Sequence, residues 1–196
     1  QQYYRDIRIS SIYEGTTGIQ SQDLLGRKIT MNSGEGLKLL LNEILTTVAK
    51  ANNHPELKPY ANSISEKIKL SEKVLTSLMP HALKGDFEKY LADASVFMEF
   101  FSLIIVAWNW LEVATNSLEA LNKGDKKYDD LFYNSKIETM KYFFDYELPK
   151  TVSHSEILMN PSSVTIKKDK EIFKRITATC PVTLSINSEI ILKTNL

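Results

Sequence analysis

Cysteine is almost missing: Cys180 is the only one in 196 residues, so no disulfide can close within the chain. No basic segment followed by an apolar signal core stands at the start. A reducing, cytoplasmic setting is expected from both. An excess of one charge is missing too. Lysine plus arginine number 24 and aspartate plus glutamate 24, so no global field would gather DNA, RNA or an anionic membrane. The 7 glycines and 6 prolines do not cluster into a linker, and neither fixed-period repeats nor low-complexity tracts occur. The 43% hydrophobic content is enough for a sizeable core. The one seam falls near Gly26 to Gly34.

An unbroken apolar run of bilayer length is likewise not found. The most apolar stretch, Val96 to Leu111, is shorter than the roughly 20 residues a spanning helix needs, and Glu99 and Asn109 interrupt it. It reads as a buried helix, and no membrane span is expected. The three histidines, His54, His81 and His154, lie in separate segments without a second ligand at zinc-binding spacing. No metal site is expected. Cys180 precedes Pro181, with no basic cluster or helix start to lower its pKa, so a nucleophilic thiol is not expected either.

What is present is helical periodicity. From Gly36, residues Leu37, Leu40, Leu41, Ile44, Leu45 and Val48 recur at three and four spacing, with Asn32 and Glu35 ahead as a cap pair. A second stripe runs from Leu57 through Ile64, Ile68, Leu75 and Leu78 toward Gly85. Gly85 suits the left-handed residue after a helix, and Asp86 the cap of the next. That third helix runs from Phe87 to Leu118 and is apolar nearly all round its middle, which puts it at the centre. A fourth carries Leu131, Ile137, Met140, Phe144, Leu148 and Val152, bent near Pro149. Long helices with short connections predict an all-α fold, an antiparallel four-helix bundle. Beyond Pro161, Val182, Leu184 and Ile186 alternate like a strand without an evident partner, so the structure of the tail stays open.

Ahead of the bundle stand three short blocks. They read Arg5-Asp6-Ile7-Arg8-Ile9, then Ile12-Tyr13-Glu14-Gly15-Thr16-Thr17-Gly18-Ile19-Gln20, then Asp23-Leu24-Leu25-Gly26-Arg27-Lys28. A lone glutamate before glycine is ordinarily a solvated turn carboxylate. Arg5, Asp6 and Arg8 are ordinarily ion-pairing residues that hold a turn. Many non-aliphatic identities at fixed spacing carry more than either. The order of the three blocks resembles the end of the catalytic core of acyl-CoA dehydrogenases, over about the first 28 residues. With a further helical domain behind it, the chain looks most like the 3-methylmercaptopropionyl-CoA dehydrogenase subgroup, which has an extended carboxy-terminal domain.

The resemblance implies three parts: residues 1–30 as the end of the catalytic helical domain, 31–160 as the carboxy-terminal bundle extension, and 161–196 as a tail. It implies α,β-dehydrogenation of an acyl-CoA thioester with FAD as cofactor. Glu14 would take the α-proton, a task that needs a carboxylate desolvated and within reach. Gly15 would let the substrate approach the backbone, with the Glu14 N–H as an oxyanion-type donor. Thr16, Thr17, Gly18 and Gln20 match positions at the flavin. The implied partners are acyl-CoA, an electron-transfer flavoprotein or other electron acceptor, and further copies in a homo-oligomer. The same resemblance implies that the chain alone is inactive. The alternative is a helical bundle that mediates subunit or partner contact without catalysis. Aromatics at helical spacing, such as Phe100, Phe101, Trp108 and Trp110, read as packing. Glu99, inside the most apolar segment, reads as a buried carboxylate held by a salt bridge across helices.

Overall fold

Every element is a helix or helical turn in the computed structural model, which describes residues 2–11, 15–123, 126–160 and 166. The chain divides into two units, Gln1–Ser163 and Val164–Leu196, and all the elements belong to the first. The alternation at Val182, Leu184 and Ile186, Cys180, and the glutamate Glu14 lie outside the described residues.

A short helix, α1 (Gln2–Asp6), passes into a 3-10 turn at Ile7–Ser11. Helix α2 (Thr17–Asp23) continues into a π-helical turn at Leu24–Lys28. Four long helical stretches follow: α3 (Met31–Ala51), α4 (Lys58–Leu83), α6 (Ala94–Asn122), and the pair α7 (Asp130–Tyr142) and α8 (Lys150–Met159) joined by a second π turn at Phe143–Glu147. A single turn and a half, α5 (Phe87–Leu91), precedes α6. The antiparallel four-helix bundle read from the periodicity is therefore the architecture.

Helix α6 is its centre, packing on α2, α3, α4, α7 and α8. Its inward residues Phe97, Phe100, Ala107, Leu111 and Ala114 are fully buried, together with Ile64 and Val74 of α4 and Met140 of α7. Side chains of the size of Phe97 and Phe100 each remove roughly 150–250 Å² from water, so this helix supplies the largest share of the driving force. Directional contacts fix its neighbours. Trp108 Nε1 donates to Thr47 Oγ1 on α3 at 2.9 Å, and Tyr60 on α4 meets Phe144 edge-on at 5.1 Å between ring centres. The buried hydroxyls of Thr115, Ser117, Thr151 and Ser155 return to backbone carbonyls of their own helices, which removes the cost of burying them.

Local chemistry explains the ends and interruptions. Gly85 has φ 76° and Asp86 accepts a hydrogen bond from the Lys89 N–H at 3.2 Å, so stop and restart fall where expected. Near Pro149 the helix widens: Leu148 N–H reaches back five residues to the Phe143 carbonyl at 2.9 Å. Proline lacks an N–H and crowds the carbonyl four residues earlier, and one wide turn relieves both.

Three expectations are corrected. The third helix is not continuous from Phe87: it breaks at Ala92 and Asp93, and Asp93, with φ −109° and ψ 29°, stands at the start of α6. Aspartate favours such starts over helix interiors. Asn32 is not a cap. With Ser33 and Gly34 it forms a left-handed run, φ 50°, 56° and 77°, which kinks the start of α3, whereas a cap residue takes extended backbone. Glu99 is not buried, its side chain being 67% exposed, although it does pair across helices with His154 Nε2 at 3.4 Å.

Candidate functional site

The turn before α2 is built from small residues. Gly15 accepts a hydrogen bond at its carbonyl from the Thr17 N–H at 2.9 Å, and the Thr16 carbonyl accepts from the Gln20 N–H at 3.0 Å. These two bonds start α2 without help from the Thr16 hydroxyl, which makes no cap bond. Gly15, Thr16, Thr17, Gly18 and Gln20 are all exposed. The Gln20 side chain folds back over the turn, so that a Cβ added at Gly15 would meet its Nε2 at 3.3 Å. Gly18 has open space where a Cβ would stand. The structure thus brings five of the six expected site residues onto one short exposed face, while Glu14 lies outside the described residues.

That face has polar donors and acceptors and no charged side chain among residues 15–20. Hydroxyls, an amide and accessible backbone are what the uncharged ring edges and the polar chain of a flavin cofactor require. The residues are therefore compatible with the FAD that the resemblance implies.

Below the face, the same segment is held firmly. Ser21 is fully buried; its Oγ donates to the Gly18 carbonyl at 2.9 Å and lies 3.2 Å from Ser95 Oγ at the start of α6. Tyr90 on α5 is 3% exposed, and its hydroxyl donates to the Leu25 carbonyl at 2.8 Å. Burial pushes the Tyr90 hydroxyl above its ordinary pKa. In the π turn the Ile29 N–H bonds to the Leu24 carbonyl and the Thr30 N–H to that of Arg27. Neither takes the Leu25 carbonyl, and the tyrosine supplies its partner. Ser21, beside Gln20, was not found from the sequence because nothing in it marks a serine as buried, and Tyr90 and Ser95 because no short spacing links them to the motif.

At the far end of α2, Asp23 forms a two-pronged pair with Arg27, one prong at 2.9 Å, and Lys28 Nζ lies 3.6 Å away. The hydrogen bond from Arg27 holds the Asp23 carboxyl below its usual range, and Asp23 in turn raises Arg27. Both are solvated, so the pair orients the turn and adds little stability. Arg5 and Asp6 are exposed. Among the described residues no cluster of three or more His, Cys, Asp or Glu could hold a metal ion.

Three clefts lie elsewhere, one of them a shallow, open surface along Lys69, Glu72, Lys73, Thr76 and Ser77 of α4. One of about 280 Å³ opens between Leu24, Arg27, Lys28, Leu37, Leu40 and Phe101, beside the kink of α3. Another, about 340 Å³, lies between α6 and α8 and is lined by Glu99, Leu103, Val106, Phe143, Lys150 and His154.

Comparison with known proteins gives these features a context. A family described as acetyl-CoA dehydrogenase C-terminal like matches residues 40–168. A broad-specificity linear acyl-CoA dehydrogenase of Mycobacterium tuberculosis is 25% identical over 179 residues, 88% of this chain and 29% of that protein. A 3-methylmercaptopropionyl-CoA dehydrogenase of Ruegeria pomeroyi is 28% identical over 160 residues, 80% of this chain and 26% of the relative. A butyryl-CoA dehydrogenase of Syntrophomonas wolfei is 28% identical over 172 residues, 79% and 25% of the two. The chain spans between a quarter and a third of the length of these relatives.

Proposed function

Because the chain belongs to the acyl-CoA dehydrogenase C-terminal family, we propose that it forms the carboxy-terminal portion of an FAD-dependent acyl-CoA dehydrogenase and brings the catalytic base to its site. The observation that carries this reading is the run from Tyr13 to Gln20, whose described part is an exposed segment at the start of a helix, small and polar but for Ile19. In this proposal residues 1–30 end the catalytic helical domain, residues 31–160 are a bundle extension, and residues 161–196 are a tail.

The reaction is removal of two hydrogens across the α,β bond of an acyl thioester. The α-proton is only weakly acidic, so it leaves to a carboxylate that is desolvated and close; Glu14 is that base. When bound, the flavin supplies the acceptor for the β-hydrogen as hydride. Gly15 leaves the backbone open to the thioester, whose carbonyl charge the Glu14 N–H stabilises as a donor. Thr16, Thr17 and Gly18 offer hydroxyl and backbone contacts to the cofactor, and Gln20 its amide.

Residues 15–20 are exposed here because the walls that cover them belong to other parts of the enzyme. The chain alone therefore has no catalysis, and the working enzyme is a homo-oligomer that takes acyl-CoA and passes electrons to an electron-transfer flavoprotein or another acceptor. Such enzymes act in fatty-acid metabolism.

The test is made on the gene product that carries this chain. Purified, it should be yellow and bleach on addition of an acyl-CoA. Glu14→Gln should retain the colour and lose the bleaching by about a hundredfold or more, the range in which general bases contribute. A colourless product sinks the proposal, and the bundle then stands as a contact module.

A further inference from the structure

The bundle extension grips the segment that carries the cofactor face, and the grip is chemically specific. Ser21 has one hydroxyl proton, which goes to the Gly18 carbonyl at 2.9 Å. The 3.2 Å contact between Ser21 Oγ and Ser95 Oγ can be donated by either hydroxyl, and by Ser95 when the Ser21 proton rests on Gly18. A chain of two hydrogen bonds thus runs from the start of α6 to Gly18, one of the residues assigned to the flavin. The second hold is the Tyr90 hydroxyl on the Leu25 carbonyl at 2.8 Å. The third is steric: a Cβ at Gly26 would meet Leu91 Cδ2 at 3.3 Å, so helix α5 lies close against the π turn.

All three holds come from residues 90–95, inside the span that matches the family, and all three fall on residues 18–26, ahead of that span. We propose that Tyr90 and Ser95 are positioning residues, through which the bundle extension sets the orientation of α2 and so aligns Gly18 and Gln20 with the flavin. The proposal rests on the function proposed above. It gives the extension a part in catalysis, where a purely structural appendage would have none.

Positioning of this kind acts on turnover, because small displacements of a base or an acceptor weaken the reactive geometry steeply. Ser95 is exposed overall, so altering it leaves the core intact. Three variants of the gene product carrying this chain are compared: Ser95→Ala, Ser95→Thr and Tyr90→Phe. The readouts are flavin content, the visible absorption spectrum of the bound flavin, and the bleaching rate across acyl-CoA concentrations. Ser95→Ala and Tyr90→Phe should keep their flavin, shift its absorption band, and lower the saturating bleaching rate by about tenfold, a fraction of the loss that a 1 Å misplacement can cause. The half-saturating concentration should stay within about twofold, since uniform binding is not what is removed. Ser95→Thr keeps the donor and should restore both spectrum and rate.

Wild-type spectra and rates in Ser95→Ala and Tyr90→Phe overturn the positioning role, even if their melting temperatures fall. If Glu14→Gln still abolishes bleaching in that case, the proposed function survives. Failure of Ser95→Thr to recover also overturns the role, because it shows that loss of the donor was not the cause. A colourless wild-type product overturns both proposals together.

Discussion

Tyr90 shows how one polar atom can matter to a helical bundle. Its hydroxyl donates to the carbonyl of the fully buried Leu25, and Tyr90→Phe removes that partner in the core. A stability loss of about 1–3 kcal/mol is expected, read as a lower urea midpoint at unchanged slope. The same burial gives a pH signature. The folded-state pKa lies above the ordinary value of 10.0, so the folded chain holds its proton where the unfolded chain has lost it. The tyrosine's contribution is therefore complete below pH 10 and declines as pH rises through the folded pKa. Urea midpoints measured from neutral pH upward should fall beyond pH 10, and Tyr90→Phe should flatten that fall. Gly15 supplies a contrasting case. A methyl group there meets only the flexible end of Gln20 at 3.3 Å, so Gly15→Ala should change stability by no more than about 0.5 kcal/mol. Its bleaching rate should nevertheless fall, because the added carbon stands between backbone and thioester; an unchanged rate would argue against close approach at this residue.

At the scale of elements, the central helix carries the bundle. Phe100 is fully buried and is tilted against Phe97 at 6.5 Å between ring centres. Phe100→Ala should cost about 3–5 kcal/mol, seen by circular dichroism as an early loss of helix in urea. Such helices were legible because burial on one face imposes three and four spacing, and Ile64, Ile68 and Leu78 on α4 are buried members of the stripe, while Leu75 is half-buried and its neighbour Val74 takes the fully buried place. The break at Ala92 and Asp93 was not, since the apolar spacing from Leu91 to Ala94 and Phe97 runs straight across it. The left-handed run at Asn32 to Gly34 was equally hidden, because Asn and Gly suit a cap as well as a kink. Glu99 misled for a different reason: it sits among apolar neighbours in sequence, yet its position on the helix turns it outward. In the candidate site, the residues of the turn are assigned from their fixed order alone. The hold upon them could not, because Tyr90 and Leu25 meet only once α5 is folded against the π turn.

For the whole molecule, the question is what environment surrounds α6. By length and composition this helix could cross a membrane, with a mean hydropathy of 1.6 over its most apolar window. Its arrangement argues for a different solvent. The face of Phe97, Phe100, Ile104, Ala107, Leu111 and Ala114 is turned into the bundle and at most 2% exposed. The opposite line runs Ser95, Glu99, Ser102, Val106, Asn109, Glu112 and Asn116, all exposed and all but one polar. A lipid-facing helix would invert that order, since a carboxylate in the hydrocarbon centre costs at least about 2.5–3.5 kcal/mol, and Glu99 and Glu112 both lie on the outward line. The apolar character of α6 is thus consumed by protein neighbours on several sides, which is the demand placed on the middle helix of a bundle. The gene product carrying this chain should accordingly stay in the supernatant after an alkaline carbonate wash of broken cells. Replacing Asn109 by leucine should raise the apolar fraction of the outward line without unfolding the bundle. The variant should then self-associate more strongly in sedimentation while still failing to enter the carbonate-resistant pellet. Retention of the unaltered chain in that pellet would show that the outward line faces something other than water.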